Sequence, residues 1–304
     1  MKLVQTLVVR DEADIVGAQL EYHLNAGVDF VLASDHQSED GTTEILESYA
    51  RQGVLRRLEV SGPMQDGAWR TRMARLAATE HGADWVINTD ADEFWMPRGA
   101  PTLKETLAAV PEPFGIVFAL SRHFLPQPGD DTPFAERMTV RVSPPVAIND
   151  PASPYRPHLK AAHRADPAVS VSFGSHTVWS ARWRALHHWH PADVLHFPFR
   201  SLEQWTNKGA RRARGDKPLG QYVAALRAKE RGRSADRYRS LLVGAEELAR
   251  GRAAGEPLPP AERAAEPGVV GESVSVRDAD IVRLRRSVDG LARRVSALER
   301  RRRR

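Results

Sequence analysis

The sequence predicts an α/β domain with a mostly parallel sheet and helices on both faces, followed by a linker and a separate C-terminal helix. Three observations lead there. Apolar runs of strand length alternate with amphipathic stretches of helix length through residues 1–120. Glycines punctuate the ends of those helical stretches. Residues 277–304 carry a heptad pattern of their own.

Lys2–Val9 is a near-continuous apolar run, as a strand buried on both faces requires. Asp14–Asn25 reads as a helix, with Ile15, Val16, Gln19, Leu20, His23 and Leu24 on one stripe and Gly27 beyond its end. Asp29–Ser34 is the second strand. Thr42–Gln52 is the second helix, with Gly53 placed to cap it. Val54–Val60 is the third strand, and Ala68–His81 the third helix, closed by Gly82. Asp84–Thr89 is the fourth strand, and Gly115–Ser121 a later one. Strands joined through helices of this length imply right-handed βαβ crossovers, hence the parallel sheet.

From Arg122 to Trp189 Pro, Asp and His are dense, and the short strands Met138–Val142 and Val169–Phe173 are expected to be antiparallel. Ser201–Arg214 and Leu219–Arg231 read as helices, followed by a polar helical stretch to Arg250. The main domain is therefore set at 1–250. Gly, Pro, Ala and Glu dominate Gly251–Gly271, so 251–276 reads as a linker. In 277–304, Ile281, Leu284, Val288, Leu291, Val295 and Leu298 follow a 3-4-3-4-3 spacing. That is the seam of a coiled coil, and it implies self-association, with dimer and trimer both open.

Composition narrows the function classes. Apolar residues at 41% and charged residues at 27% exclude a wholly disordered chain. The absence of cysteine excludes disulfides, Cys-type zinc sites, iron–sulfur clusters and a thiol nucleophile. No apolar stretch is long enough to span a bilayer, and Arg10-Asp11-Glu12 arrives too early for a signal-peptide core. The expected location is cytoplasmic. Residues 277–304 hold eleven Arg against four acids, so the rest of a chain of net charge +5 is slightly acidic. The body is thus no polyanion binder, and no specific nucleic-acid partner is expected. The Arg300–Arg304 block allows a peripheral contact with an anionic inner membrane face.

The strongest chemical signal is Val86-Ile87-Asn88-Thr89-Asp90-Ala91-Asp92-Glu93-Phe94-Trp95, an apolar strand ending in three acids. At the carboxyl end of a buried parallel strand, side chains face the crevice where α/β folds bind ligands. Clustered carboxylates repel, and a divalent cation is the usual relief. Oxygen donors suit Mg²⁺ or Mn²⁺, so Asp90 and Asp92 are the expected ligands. Asp35-His36-Gln37-Ser38-Glu39-Asp40-Gly41-Thr42 also follows a strand and opens a helix, and the first strand ends in Arg10-Asp11-Glu12. Three strand ends deliver acids to one rim. The Lys160/His163 pair belongs to a stretch that reads equally as an acceptor-side lining or as a solvated turn.

Those segments resemble, in order, a GT-A-fold glycosyltransferase of family 2, in the branch with an Asp-x-Asp-Glu-Phe metal motif. Val8–Glu12 is similar to the first strand and its end, with Asp11 where Asn is usual. Asp35–Thr42 is similar to the loop that holds the nucleotide base, and Asp90–Phe94 to the metal motif. Leu195-His196-Phe197-Pro198-Phe199-Arg200-Ser201, continuing to Trp205 and Lys208, is similar to the later His-aromatic-basic segment. The resemblance implies a nucleotide-sugar donor, UDP- or GDP-linked, and a glycan or other hydroxyl acceptor. It implies that Asp11, Glu12 and Asp35 meet the nucleoside and that Asp90 reaches the ribose or a metal-bound water. It implies that Asp92 and His196 serve the metal, with Arg200 and Lys208 as cations near the diphosphate. An inverting transfer then needs a base on the acceptor hydroxyl, and Glu93, His176 and Asp193 are the candidates. Two alternatives stay open: a nucleotidyltransferase acting on sugar phosphates, and a non-catalytic scaffold of the same fold assembled by its coiled coil.

Overall fold

The computed structural model describes residues 1–129, 132–143, 157–187, 189–213, 226–242 and 270–273. The chain runs β1 (Leu3–Val9), α1 (Val16–Asn25), β2 (Phe30–Asp35), α2 (Thr42–Arg51), β3 (Leu55–Glu59), α3 (Asp66–Thr79), β4 (Trp85–Asp90), β5 (Glu93–Pro97) and α4 (Leu103–Ala108). It continues through β6 (Phe114–His123), α5 (Phe134–Arg137), β7 (Val140–Ser143), β8 (Leu159–Arg164), β9 (Ser170–Val171), β10 (Val178–Trp179), β11 (Arg184–Leu186) and β12 (Ala192–His196). Then come α6 (Leu202–Ala213), α7 (Ser234–Arg239) and β13 (Val270–Ser273). Within the expected linker 251–276, residues 270–273 form β13, while the rest of it and the heptad segment 277–304 lie outside the described residues.

The chain divides into two compact units. The first contains Met1–Ser121 and His158–Leu195, and the second Arg122–Pro157 and His196–Val282. The main sheet has the order β3-β2-β1-β4-β8-β6-β12-β5, with β11 beside β6. β3, β2, β1 and β4 are parallel, as the alternation of strands and helices predicts. The rest corrects the expectation of a mostly parallel sheet: β8 lies antiparallel to both β4 and β6, so the sheet is mixed. The stretch holding Lys160 and His163 is thus a strand and not a solvated turn, with Lys160, Ala161, Ala162 and His163 all buried.

Strand alternation places α1 and α3 on opposite faces. Val86 and Val4 pack with Met73 and Ala74 of α3, and Ser34 meets the Met73 sulfur. On the other face Thr89 Oγ1 accepts hydrogen bonds from Gln19 of α1 and Gln5 of β1. Apolar α3 residues and the apolar even positions of β1 and β4 therefore share one core. Each large side chain buried there contributes roughly 1.5–3 kcal/mol relative to exposure. Glycine is required at 115, because a Cβ there would sit 2.5 Å from the Trp183 ring.

In the second unit β7 pairs antiparallel with β13. Leu125, Val140, Phe199, Trp205 and Tyr238 form its apolar cluster.

Candidate active site

The register fixes the rim. Val8 of β1 pairs with Asp90 of β4, and Val9 with Asp35 of β2. Asp35 and Asp90 therefore end strands two places apart, roughly 10 Å between backbones. Their side chains diverge. Ser34 and Asn88 lie on opposite sides of the alternation from Asp35 and Thr89, which sends Asp35 toward α2 and Asp90 toward α3.

Asp35 is buried and organises the loop ahead of α2. One carboxylate oxygen accepts from the Ser38 amide at 3.2 Å and hydroxyl at 2.7 Å. The other accepts from Thr43 Oγ1 at 2.6 Å and Arg57 at 3.3 Å. Ser38 Oγ also takes the Asp11 amide at 3.1 Å, and Asp11 in turn accepts the Glu39 amide at 2.7 Å. The Glu12 amide donates to Thr42 Oγ1 at 2.9 Å. The first and second strand ends are thus laced into one surface that carries Asp11, Glu12 and Asp35. Asp11 (φ 48°), Gln37 (φ 54°) and Ser175 (φ 54°) are the non-glycine residues in the left-handed region among those described. All three lie in loops of this first unit beside the candidate residues, where such strain commonly accumulates.

Asp90 belongs to a different cluster. Arg70, fully buried on α3, sends Nη2 to Asp90 Oδ1, Nε to Asp66 at 2.9 Å and Nη1 to the Thr89 carbonyl at 2.8 Å. Lys160 of β8, with its side chain 4% exposed, lies 2.9 Å from Asp90 Oδ2 and 2.6 Å from Glu93 Oε1. Its third hydrogen bond goes to the Gly174 carbonyl at 2.8 Å. Asp66 accepts the Gly174 amide at 2.7 Å, and Glu93 accepts the Asp90 amide at 3.1 Å. Burial alone would raise the Asp90 carboxyl, but Lys160 and Arg70 overcome it and hold Asp90 well below the usual carboxylate range. Burial also opposes the Lys160 charge, and Asp90 with Glu93 more than restores it. Asp92 is buried, and its charge bears on Asp90.

His176 borders this cluster. Its Nδ1 lies 2.9 Å from the Leu159 carbonyl, so Nδ1 carries the proton and Nε2 holds the lone pair. Burial, followed by Lys160, pushes the imidazole below its ordinary range, so the ring is neutral at pH 7. The other two base candidates are held in ion pairs. Glu93 pairs with Lys160, and Asp193 Oδ2 takes Arg98 Nε at 2.9 Å and Nη2 at 2.6 Å.

His196, Arg200 and Lys208 belong to the second unit, and Asp90, Asp92 and Glu93 to the first. His196 Nδ1 lies 2.8 Å from His123 Nδ1. Arg200 is buried and donates to the Phe197 carbonyl at 2.9 Å. Lys208 lies on α6. Among the described residues no group of three or more His, Asp or Glu side chains is arranged to hold a metal ion. Each Asp90 oxygen meets a cationic nitrogen, Arg70 Nη2 at Oδ1 and Lys160 Nζ at Oδ2. No helix among the described residues is long and apolar enough to cross a membrane.

Sequence reasoning missed Arg70 and Asp66. Their i, i+4 spacing on α3 was the available signal, but such a pair reads as an ordinary surface salt bridge until its burial is known.

A sequence model of glycosyltransferase family 92 matches residues 4–113, from β1 through α4, including all three acid-bearing strand ends. This supports a glycosyltransferase; the motif order itself resembles family 2. No curated protein matches the chain. Solved structures similar to it include residues 1–349 of S. aureus TarS, 14% identical, with 84% of this chain and 79% of that one covered and a TM-score of 0.36. The same protein in complex with UDP is 14% identical over 82% of this chain and 78% of that one, with a TM-score of 0.37. A mycobacterial protein is 14% identical over 77% and 75%, with a TM-score of 0.36.

Proposed function

We propose that the chain is a glycosyltransferase that moves a sugar from a UDP- or GDP-linked donor to a hydroxyl of a glycan or another acceptor, with inversion. One observation carries the reading: a glycosyltransferase family model matches residues 4–113, the stretch that holds the strand ends bearing Asp11, Glu12, Asp35 and Asp90. The loop built on Asp11, Glu12 and Asp35 takes the nucleoside. Asp92 is the residue to which we assign a divalent cation, Mn²⁺ or Mg²⁺, which offsets the charge of the leaving diphosphate.

His176 is the base. Its tautomer is set by Leu159, and among the described residues no hydrogen bond to Nε2 is found. The acceptor O–H gives its proton to Nε2 while the oxygen forms a bond to the anomeric carbon. The bond from that carbon to the β-phosphate oxygen breaks, and its electron pair leaves with the nucleoside diphosphate. Calorimetry with UDP and GDP, each with and without Mn²⁺, tests the reading. Binding of one nucleotide in the micromolar to millimolar range is expected. Failure of both under all conditions would remove it.

A further inference from the structure

We infer that Lys160 is the resident cation of the Asp90–Glu93 carboxylates, so that Asp90 is a positioning residue and not a metal ligand. The inference deepens the glycosyltransferase reading and rests on it only for what the site binds.

Lys160 is surrounded as a small metal ion would be. Three oxygens lie 2.6–2.9 Å from Nζ: Glu93 Oε1, Gly174 O and Asp90 Oδ2. An ammonium has three N–H donors, and all three are used. Arg70 occupies the other Asp90 oxygen, and its own orientation is fixed by Asp66 and the Thr89 carbonyl. A divalent cation at Asp90 would have to displace one of these charges or sit against both. Either route meets like-charge repulsion from the buried Lys160 and Arg70 side chains. The same ammonium ties four chain segments together: the end of β4, the start of β5, β8, and the turn Phe173–Ser175 that leads to His176. Asp90 thereby fixes the Lys160 ammonium and, through Gly174, the approach to the base.

The test uses the full chain and Mn²⁺ alone, followed by calorimetry or by the electron-spin signal of free Mn²⁺. Asp90→Asn should change Mn²⁺ affinity by less than three-fold, or leave no binding where the parent shows none. Lys160→Ala uncovers Asp90 and Glu93 and should gain at least ten-fold in Mn²⁺ affinity. The double change Lys160→Ala with Asp90→Asn should lose that gain. A merely structural lysine would not create a metal site on removal. A three-fold or larger loss of Mn²⁺ affinity in Asp90→Asn overturns the inference, as does a folded Lys160→Ala protein with no gain. Should Lys160→Ala fail to fold by circular dichroism, the Asp90→Asn arm decides alone. Absence of UDP and GDP binding would remove the proposed function and leave the Mn²⁺ result standing.

Discussion

Lowering the pH through the histidine range should loosen the α1 face of the sheet at His23. The ring is fully buried, with Nδ1 2.9 Å from the Gln19 carbonyl and Nε2 accepting the Trp95 amide at 3.0 Å. That pattern admits only the neutral ring protonated at Nδ1, because a second proton would face an N–H donor. Burial accordingly lowers the His23 pKa from 6.5 to about 4, with the Gln19 hydrogen bond opposing weakly. A depressed histidine leaves stability intact above pH 6.5. Between pH 6.5 and 4 the unfolded chain takes up a proton that the folded one refuses, so stability falls with falling pH and levels off below 4. At 1.36 kcal/mol per pKa unit, the loss is about 3 kcal/mol. Urea unfolding at half-unit steps from pH 8 to 4, compared between the parent and His23→Gln, isolates the effect. The glutamine protein will be weaker throughout, so the gap between the two curves is what matters, and it should narrow by about 3 kcal/mol as the pH falls. Parallel curves across that window would refute the neutral-ring assignment. His163, also buried and lowered to about 4, acts in the same direction in both proteins and cancels in the difference.

Two further changes probe the candidate site. Arg70→Met removes the buried cation that faces Asp66 and Asp90 and should cost about 3–5 kcal/mol, read as a lower melting temperature at pH 7. A loss under about 1 kcal/mol would mean the network adds little. Gly174→Ala places a Cβ 2.7 Å from His176 Nε2 at a backbone φ of 65°. It should cost about 1–2 kcal/mol of stability and lower turnover at least ten-fold, while nucleoside diphosphate affinity stays within about two-fold. Unchanged turnover would separate His176 from the chemistry.

The parallel half of the sheet was legible because its strands are buried on both faces. Leu3–Val9 and Trp85–Thr89 are mostly apolar, and Gln5 with Thr89 and Thr6 with Asn88 hydrogen-bond across the strands. β8 was hidden for the opposite reason. Leu159–Arg164 carries a lysine and a histidine at buried positions, which breaks the apolar signal of a central strand. Its compensation comes from Asp90 and Glu93, close in space but about 70 residues earlier, and no local pattern can announce that. The acids of Asp90–Glu93 were visible as a cluster needing relief. That the nearest relief is a lysine could be seen only once β8 was paired with β4.

Charge counting then sets what the rim can accept. Asp66, Asp90 and Glu93 face Arg70 and Lys160, and buried Asp92 adds its own negative charge beside Asp90. A nucleoside diphosphate arriving at such a site brings further negative charge into a region of low screening. Lys160 cannot serve it, because its three donors are already committed. On the proposed reading, a cation for the phosphates would come from outside this network. The proposed metal therefore stays at Asp92, one of the two expected carboxylate ligands, and leaves Asp90, whose oxygens both meet cationic nitrogens.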